Sequence, residues 1–148
     1  MSAGQHCTLC AEDGGALVWR NEALRVVCVD EPDLPGYTRV IWHAHVPEMT
    51  DLDTRARDEL MQAVYIVESV QRQILQADKV NLASLGNMTP HLHWHVMPRW
   101  RDDPWFPNSI WAPRRTAADT AWPGRRRHLT AMLDDYKAAL RASLDQLL

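Results

Sequence analysis

The chain has 148 residues, 46% of them hydrophobic and 24% charged, with a formal net charge of −3. Those proportions fit one globular domain spanning 1–148 and exclude a disordered or fibrous chain. No apolar run nears the roughly 18 residues a membrane helix needs. Met1–Gln5 has neither the basic nor the apolar segment of a secretory leader, and a mildly acidic chain has no general reason to hold duplex nucleic acid. The expectation is a cytoplasmic domain without a membrane partner.

Along the chain, the first landmark is Cys7-Thr8-Leu9-Cys10. In a reducing compartment this spacing means a redox pair or half a metal site. Glu12–Gly15 is turn chemistry, and Ala16–Arg20 and Leu24–Asp30 read as a strand hairpin. The third cysteine, Cys28, lies in that second apolar run and reads as a small buried hydrophobe. Glu31–Gly36 is a loop, and Tyr37–His45 a third strand, rich in β-branched and aromatic residues.

Thr50 to Asp53 offers helix caps. The apolar positions Ala56, Leu60, Ala63, Val67, Val70 and Ile74 then give one buried helical face. Val80–Leu85 and Leu92–Arg99 are two more strands, joined by Gly86–Pro90. Trp100–Gly124 reads as an ordered loop, and Arg126–Leu147 as a last amphipathic helix. Strands, a helix, strands and a helix predict an α+β fold around an antiparallel sheet. The cationic clusters Arg114-Arg115 and Arg125–Arg127 read first as solvated charge, and second as an attraction for polyphosphate.

The informative segment is His91-Leu92-His93-Trp94-His95-Val96-Met97. A strand alternates its faces, so Leu92, Trp94 and Val96 anchor it in a core while three imidazoles line the other side, roughly 6–7 Å apart. Such a row suits two chemistries. The histidines hold a catalytic ion with a position open for water, or one neutral imidazole attacks phosphorus while its neighbours bind phosphate oxygens. Spacing alone leaves both open.

The pattern His-φ-His-φ-His-φ-φ, with φ apolar, resembles the signature of the histidine-triad (HIT) family. The resemblance extends to Asp30 after an apolar strand, Gly36 before the next, His45-Val46 before a helix, and Asn81 and Gly86 before the triad. It implies the HIT antiparallel sheet with one long helix and a C-terminal helix, assembled as a homodimer. It also implies hydrolysis or transfer at a nucleotide α-phosphate through a nucleotidyl-histidine intermediate. By position, His93 is the nucleophile, His95 binds the α-phosphate, and His91 orders the site. Asp30 and Asn81 match nucleotide-contacting positions, and the Gly86–Thr89 turn adds Asn87 and Thr89. Dinucleoside polyphosphates and nucleoside phosphoramidates are the implied substrates, with no metal needed to activate the nucleophile. The segment 100–122 resembles that of a bacterial subgroup of dinucleoside polyphosphate hydrolases.

Three departures stand out. Met88 occupies a position where the family often carries a hydroxyl residue, Asn87 replaces the glutamine before it, and Tyr37 stands where many members have a histidine. Bacterial relatives of this type also hold zinc, and by that likeness the ligands are Cys7, Cys10, His45 and His91, a closed structural set, with His6 or His43 as substitutes. The rival readings are a metallohydrolase using the triad as ligands and a non-catalytic nucleotide-binding protein on the same fold.

Overall fold

The computed structural model describes residues 7–115 and 121–148. Its centre is a five-stranded antiparallel sheet of β1 (Ala16–Arg20), β2 (Leu24–Cys28), β3 (Thr38–Trp42), β4 (Lys79–Ala83) and β5 (His93–Arg99), in the order β1-β2-β3-β5-β4. The last strand in sequence therefore lies inside the sheet, between β3 and β4. A short α1 (Thr8–Ala11) precedes the sheet. The long α2 (Thr54–Ile74) connects β3 to β4, and α3 (Trp122–Ala131) and α4 (Leu133–Leu147) close the chain.

Alternation along the strands sorts the sheet into two unlike faces. Leu24, Val26, Val40 and Val96 pack into one core with Leu60, Ala63, Val67 and Val70 of α2 and Tyr136, Leu140 and Leu144 of α4. The opposite face carries Arg25, Val27, Arg39, Ile41, His93 and His95, as the cross-strand partners Arg25–Ile41–His93 and Val27–Arg39–His95 show. There, Cys7 and Leu9 pack on Val27 and Ile41 as a second, small cluster.

Helix α2 starts where Asp53 caps it, its carboxylate accepting from the Ala56 amide at 2.8 Å. In its last turn, the fully buried Gln71 donates through Nε2 to the carbonyls of Gly36 and Val96, both at 2.9 Å, which locks helix to sheet. Gly36 has φ +84° and sits where a Cβ would come within 2.3 Å of Leu75, so only glycine fits the entry to β3.

Several boundaries differ from the sequence reading. The third strand stops at Trp42: His43 and Ala44 form a bend, although the His43 amide still donates to the Ala23 carbonyl at 2.8 Å. The C-terminal helix is two helices: at Met132 the amide closes an i→i−3 bond to Leu129, a 3₁₀-type tightening that breaks the α ladder. Helix α3 also begins at Trp122, inside the span read as loop, while residues 116–120 lie outside the described residues.

The loop after β5 is built around Asp103, which is fully buried. Its carboxylate accepts from Arg99 Nε and an Arg99 terminal nitrogen at 2.8 and 3.0 Å, and from the amides of Trp100, Trp105 and Phe106. Burial alone would raise this carboxyl, but Arg99 and the loop amides outweigh it and hold it below its ordinary value. A depressed carboxyl adds stability above its unfolded pKa that is lost as pH falls through the folded one. Asp103→Asn removes one charge of a buried pair and is expected to cost about 3–5 kcal/mol. In urea melts, the difference from the wild type should then shrink below pH 4, where the wild-type carboxylate also protonates; a constant difference would refute this account.

Candidate functional site

The site is assembled on the sheet face that the long helices leave free. It has two adjoining halves that share His91.

In the first half, Arg25 fixes the N-terminal segment. This arginine interrupts the apolar run of β2, and its guanidinium donates to the carbonyls of Leu9 at 2.6 Å, Asp13 at 2.9 Å and Glu12 at 3.1 Å. The α1 turn is thereby pressed onto the sheet with both cysteine thiols facing the start of β5. Cys7 Sγ lies 3.5 Å from His91 Nδ1, and Cys10 Sγ lies 3.4 Å from both His91 Nδ1 and His45 Nδ1. The two imidazole nitrogens are 3.4 Å apart, and all four donor atoms fall within 4.8 Å of one another.

These spacings are those of a tetrahedral cage. With metal–sulfur bonds near 2.3 Å and metal–nitrogen bonds near 2.0 Å, an ideal tetrahedron has S···N edges of about 3.5 Å and an N···N edge of about 3.3 Å. The protonation pattern agrees. His91 Nε2 lies 2.6 Å from the Trp42 carbonyl, which only accepts, so the proton is on Nε2 and the Nδ1 lone pair faces the thiols. Burial and the neighbouring His45 lower the His91 pKa and keep it neutral. Burial, then Cys7, raises the Cys10 thiol, a preference that a bound divalent cation reverses. Four residues drawn from α1, the bend after β3 and the approach to β5 therefore form a set fit to hold a soft divalent metal.

His43 is excluded from that set: its Nε2 donates to the Asn21 carbonyl at 3.1 Å and its Nδ1 faces Arg25. His6 lies outside the described residues.

The second half is the pair His93 and His95, whose rings meet edge to face with centroids 4.8 Å apart. His93 Nδ1 lies 2.6 Å from the His91 carbonyl. The carbonyl must accept, so Nδ1 carries the proton and Nε2 holds a lone pair. Burial, together with the charge of Arg39, lowers the His93 pKa. His95 Nδ1 contacts the Tyr37 hydroxyl at 2.6 Å, and burial, His93 and Arg39 push its pKa down to about 4. Both imidazoles are neutral near pH 7. The indole of Trp111 stands perpendicular to His95 at 5.3 Å and is half exposed.

Beside His95, a cleft of about 400 Å³ runs between the edge strand β4 and the loop after β5, lined by Lys79, Asn81, Ser109, Ile110 and Trp111 among others. Asn81 thus borders the triad face, but its Oδ1 accepts from Arg99 at 2.8 Å and so also ties β4 to the Asp103 loop. Thr89 is half-buried in the turn, its carbonyl accepting from the His91 amide at 2.8 Å, while Asn87 and Met88 are exposed. Asp30 lines a different cleft, with Cys28, Arg126, Thr130 and Lys137 at the end of the sheet near α3 and α4. The clustered cations serve the fold: Arg114 and, from α3, Arg126 pair with Asp33, and Arg125 with Asp102.

The comparisons identify the family and the fold. Residues 11–102 match the family described as the HIT domain. The chain belongs to the HIT family. It is 30% identical over 99 residues to the AP-4-A phosphorylase of Mycobacterium tuberculosis, and it spans about half of that protein's length (51%) and 63% of its own. In structure it resembles a histidine triad protein from Marinobacter aquaeolei, with a TM-score of 0.72 at 21% identity over 97% of this chain and 98% of that one. A zinc-bound histidine triad family protein from Mycobacterium smegmatis superposes with a TM-score of 0.58 at 20% identity, covering 93% and 99% of the two chains. The α+β HIT fold expected from the sequence is the observed one.

Sequence reasoning missed Arg25 and Arg39. The available signal was a charge at an interior position of each apolar strand.

Proposed function

We propose that this protein is a nucleotide hydrolase or nucleotidyl transferase acting at an α-phosphate, with His93 as nucleophile and a zinc ion held by Cys7, Cys10, His45 and His91. The observation that carries this reading is the hydrogen bond from His93 Nδ1 to the His91 carbonyl. It commits the proton to one nitrogen and leaves the other free to attack without a general base.

His93 Nε2 forms a bond to the α-phosphorus as the leaving group departs, and water then takes the nucleotide from the phosphoramidate. His95 supports this step from beside it. With the Tyr37 hydroxyl donating to Nδ1, His95 carries its proton on Nε2 and offers an N–H to a phosphate oxygen. Asn81, Thr89 and Asn87 border the nucleotide, and Asp30 contacts it only if the ligand reaches the second cleft. The zinc, when bound, is structural: it fixes the His91 backbone that orients His93. A homodimer of single-domain chains in the cytoplasm completes the proposal. The exposed Leu82 on edge strand β4, with Leu85 and Met88 beyond it, supports association there.

The metallohydrolase alternative needs the three histidines to aim at one ion. Here the unprotonated nitrogen of His91 faces the thiols instead. Rapid quench of the wild-type protein with a radiolabelled dinucleoside polyphosphate or adenosine phosphoramidate, followed by peptide mapping, should recover a nucleotide on the peptide containing His93. Turnover of either substrate without a labelled peptide, at times shorter than one catalytic cycle, would refute the covalent reading.

A further inference from the structure

Arg39 occupies the middle of β3, directly across from His95 on β5 and Val27 on β2. Alternation therefore places it on the histidine face. Its guanidinium carbon stands over the Tyr37 ring, 5.7 Å from the centroid, and Tyr37 in turn contacts His95. One terminal nitrogen donates to the Gly14 carbonyl at 3.2 Å.

What Arg39 lacks is an acid. Arg20, Arg99, Arg114, Arg125 and Arg126 each pair with a carboxylate, and among the described residues no ion pair reaches Arg39. Its Nε is buried and without a hydrogen-bond partner. A buried N–H of a charged group left unsatisfied is unfavourable, so this guanidinium keeps unspent hydrogen-bonding capacity and an uncompensated charge beside the histidine pair. A planar guanidinium held by the Tyr37 side chain and one carbonyl is preorganised for phosphate oxygens.

We infer that Arg39 binds the phosphate that adjoins the α-phosphate, so that the substrate class is a nucleotide whose leaving group is itself a phosphate chain. This rests on the reading of His93 as nucleophile. The chemistry separates the two substrate classes. When His93 Nε2 bonds to the α-phosphorus, the bridging P–O bond breaks and its electron pair stays on the departing oxygen. The leaving phosphate chain gains one negative charge and needs no proton, so a fixed cation beside it lowers the barrier. An amine leaving group must instead accept a proton to depart, and a guanidinium neither supplies one nor stabilises the neutral product.

The test compares the wild type, Arg39→Met and Arg39→Lys on diadenosine tetraphosphate and adenosine phosphoramidate. Arg39→Met should lower kcat/KM for the tetraphosphate by roughly 10- to 100-fold more than for the phosphoramidate, the scale of a charge-assisted hydrogen bond. Arg39→Lys should recover part of that loss, since it keeps the charge but not the fork. A second measurement is independent of turnover: in a His93→Asn background, Arg39→Met should weaken binding of a methylene-bridged diadenosine tetraphosphate about tenfold or more and leave AMP binding unchanged. Equal losses on both substrates, or unchanged tetraphosphate binding by a variant with wild-type circular dichroism, would overturn the role of Arg39. A wild type that turns over neither substrate would instead overturn the His93 reading, and the binding measurement alone would then decide for or against Arg39.

Discussion

His93→Asn is expected to lose turnover of every substrate the wild type accepts, by on the order of 10⁴-fold or more, the scale on which removing a nucleophile acts. Asn keeps a polar group near the His91 carbonyl but has no nucleophilic nitrogen, since its amide lone pair is delocalised into the carbonyl. Leu92, Val96 and the β3–β5–β4 pairing still anchor the strand, so the fold and nucleotide binding should persist. Steady-state kinetics with circular dichroism separates the two effects. In the same assay, wild-type turnover should survive removal of loosely bound divalent ions, because the attacking atom is an imidazole nitrogen and not a metal-bound water. Near-normal activity of His93→Asn, or complete loss on mild chelation with recovery on adding metal back, would sink the mechanism.

The metal prediction has comparable size. Protein purified in reduced form without chelator should contain about one zinc per chain, because a closed four-ligand cage binds tightly. Cys7→Ser combined with Cys10→Ser should remove it. A loss of even about 4 kcal/mol, well within what such sites contribute, corresponds to a fall of roughly 10 °C in Tm for a chain of this size. Activity should fall less steeply than with His93→Asn, since the double variant retains the nucleophile and the sheet. Elemental analysis that finds no metal in the reduced protein, or a double variant that melts with the wild type, would refute the site.

The parts of this protein that repeat at short range were legible in its residues. The two-residue period of His91–His95, the Cys-x-x-Cys spacing and the three- and four-residue steps of α2 each carry their geometry within one element. What a strand faces across the sheet does not. Arg39 and Arg25 are single charges in otherwise apolar strands, and only the β2–β3–β5 register places one beside His95 and the other behind the cysteines. Asn81 was singled out for nucleotide contact, yet its carbonyl is held across the strands by Arg99, which Asp103 grips from the following loop. Asp30 sits at the end of β2 with the parity of Cys28, which aims it toward the helices and the second cleft. The bend at Met132 has no proline or glycine to announce it, so nothing local distinguished two helices from one.

The position of β5 has a consequence for the order in which the molecule is made. As the chain leaves the ribosome, β1, β2 and β3 emerge as a meander that can pair at once, and β4 follows with an edge but no neighbour. Only when residues 93–99 arrive can the gap between β3 and β4 be filled. The same arrival delivers His91 to thiols synthesised more than eighty residues earlier. Closing so long a loop is entropically costly, and little before that moment offsets the cost. Until then the two cysteines are exposed to oxidation or to a competing ion, so the nascent chain depends on a reducing environment for as long as its first ninety residues wait for His91 to appear.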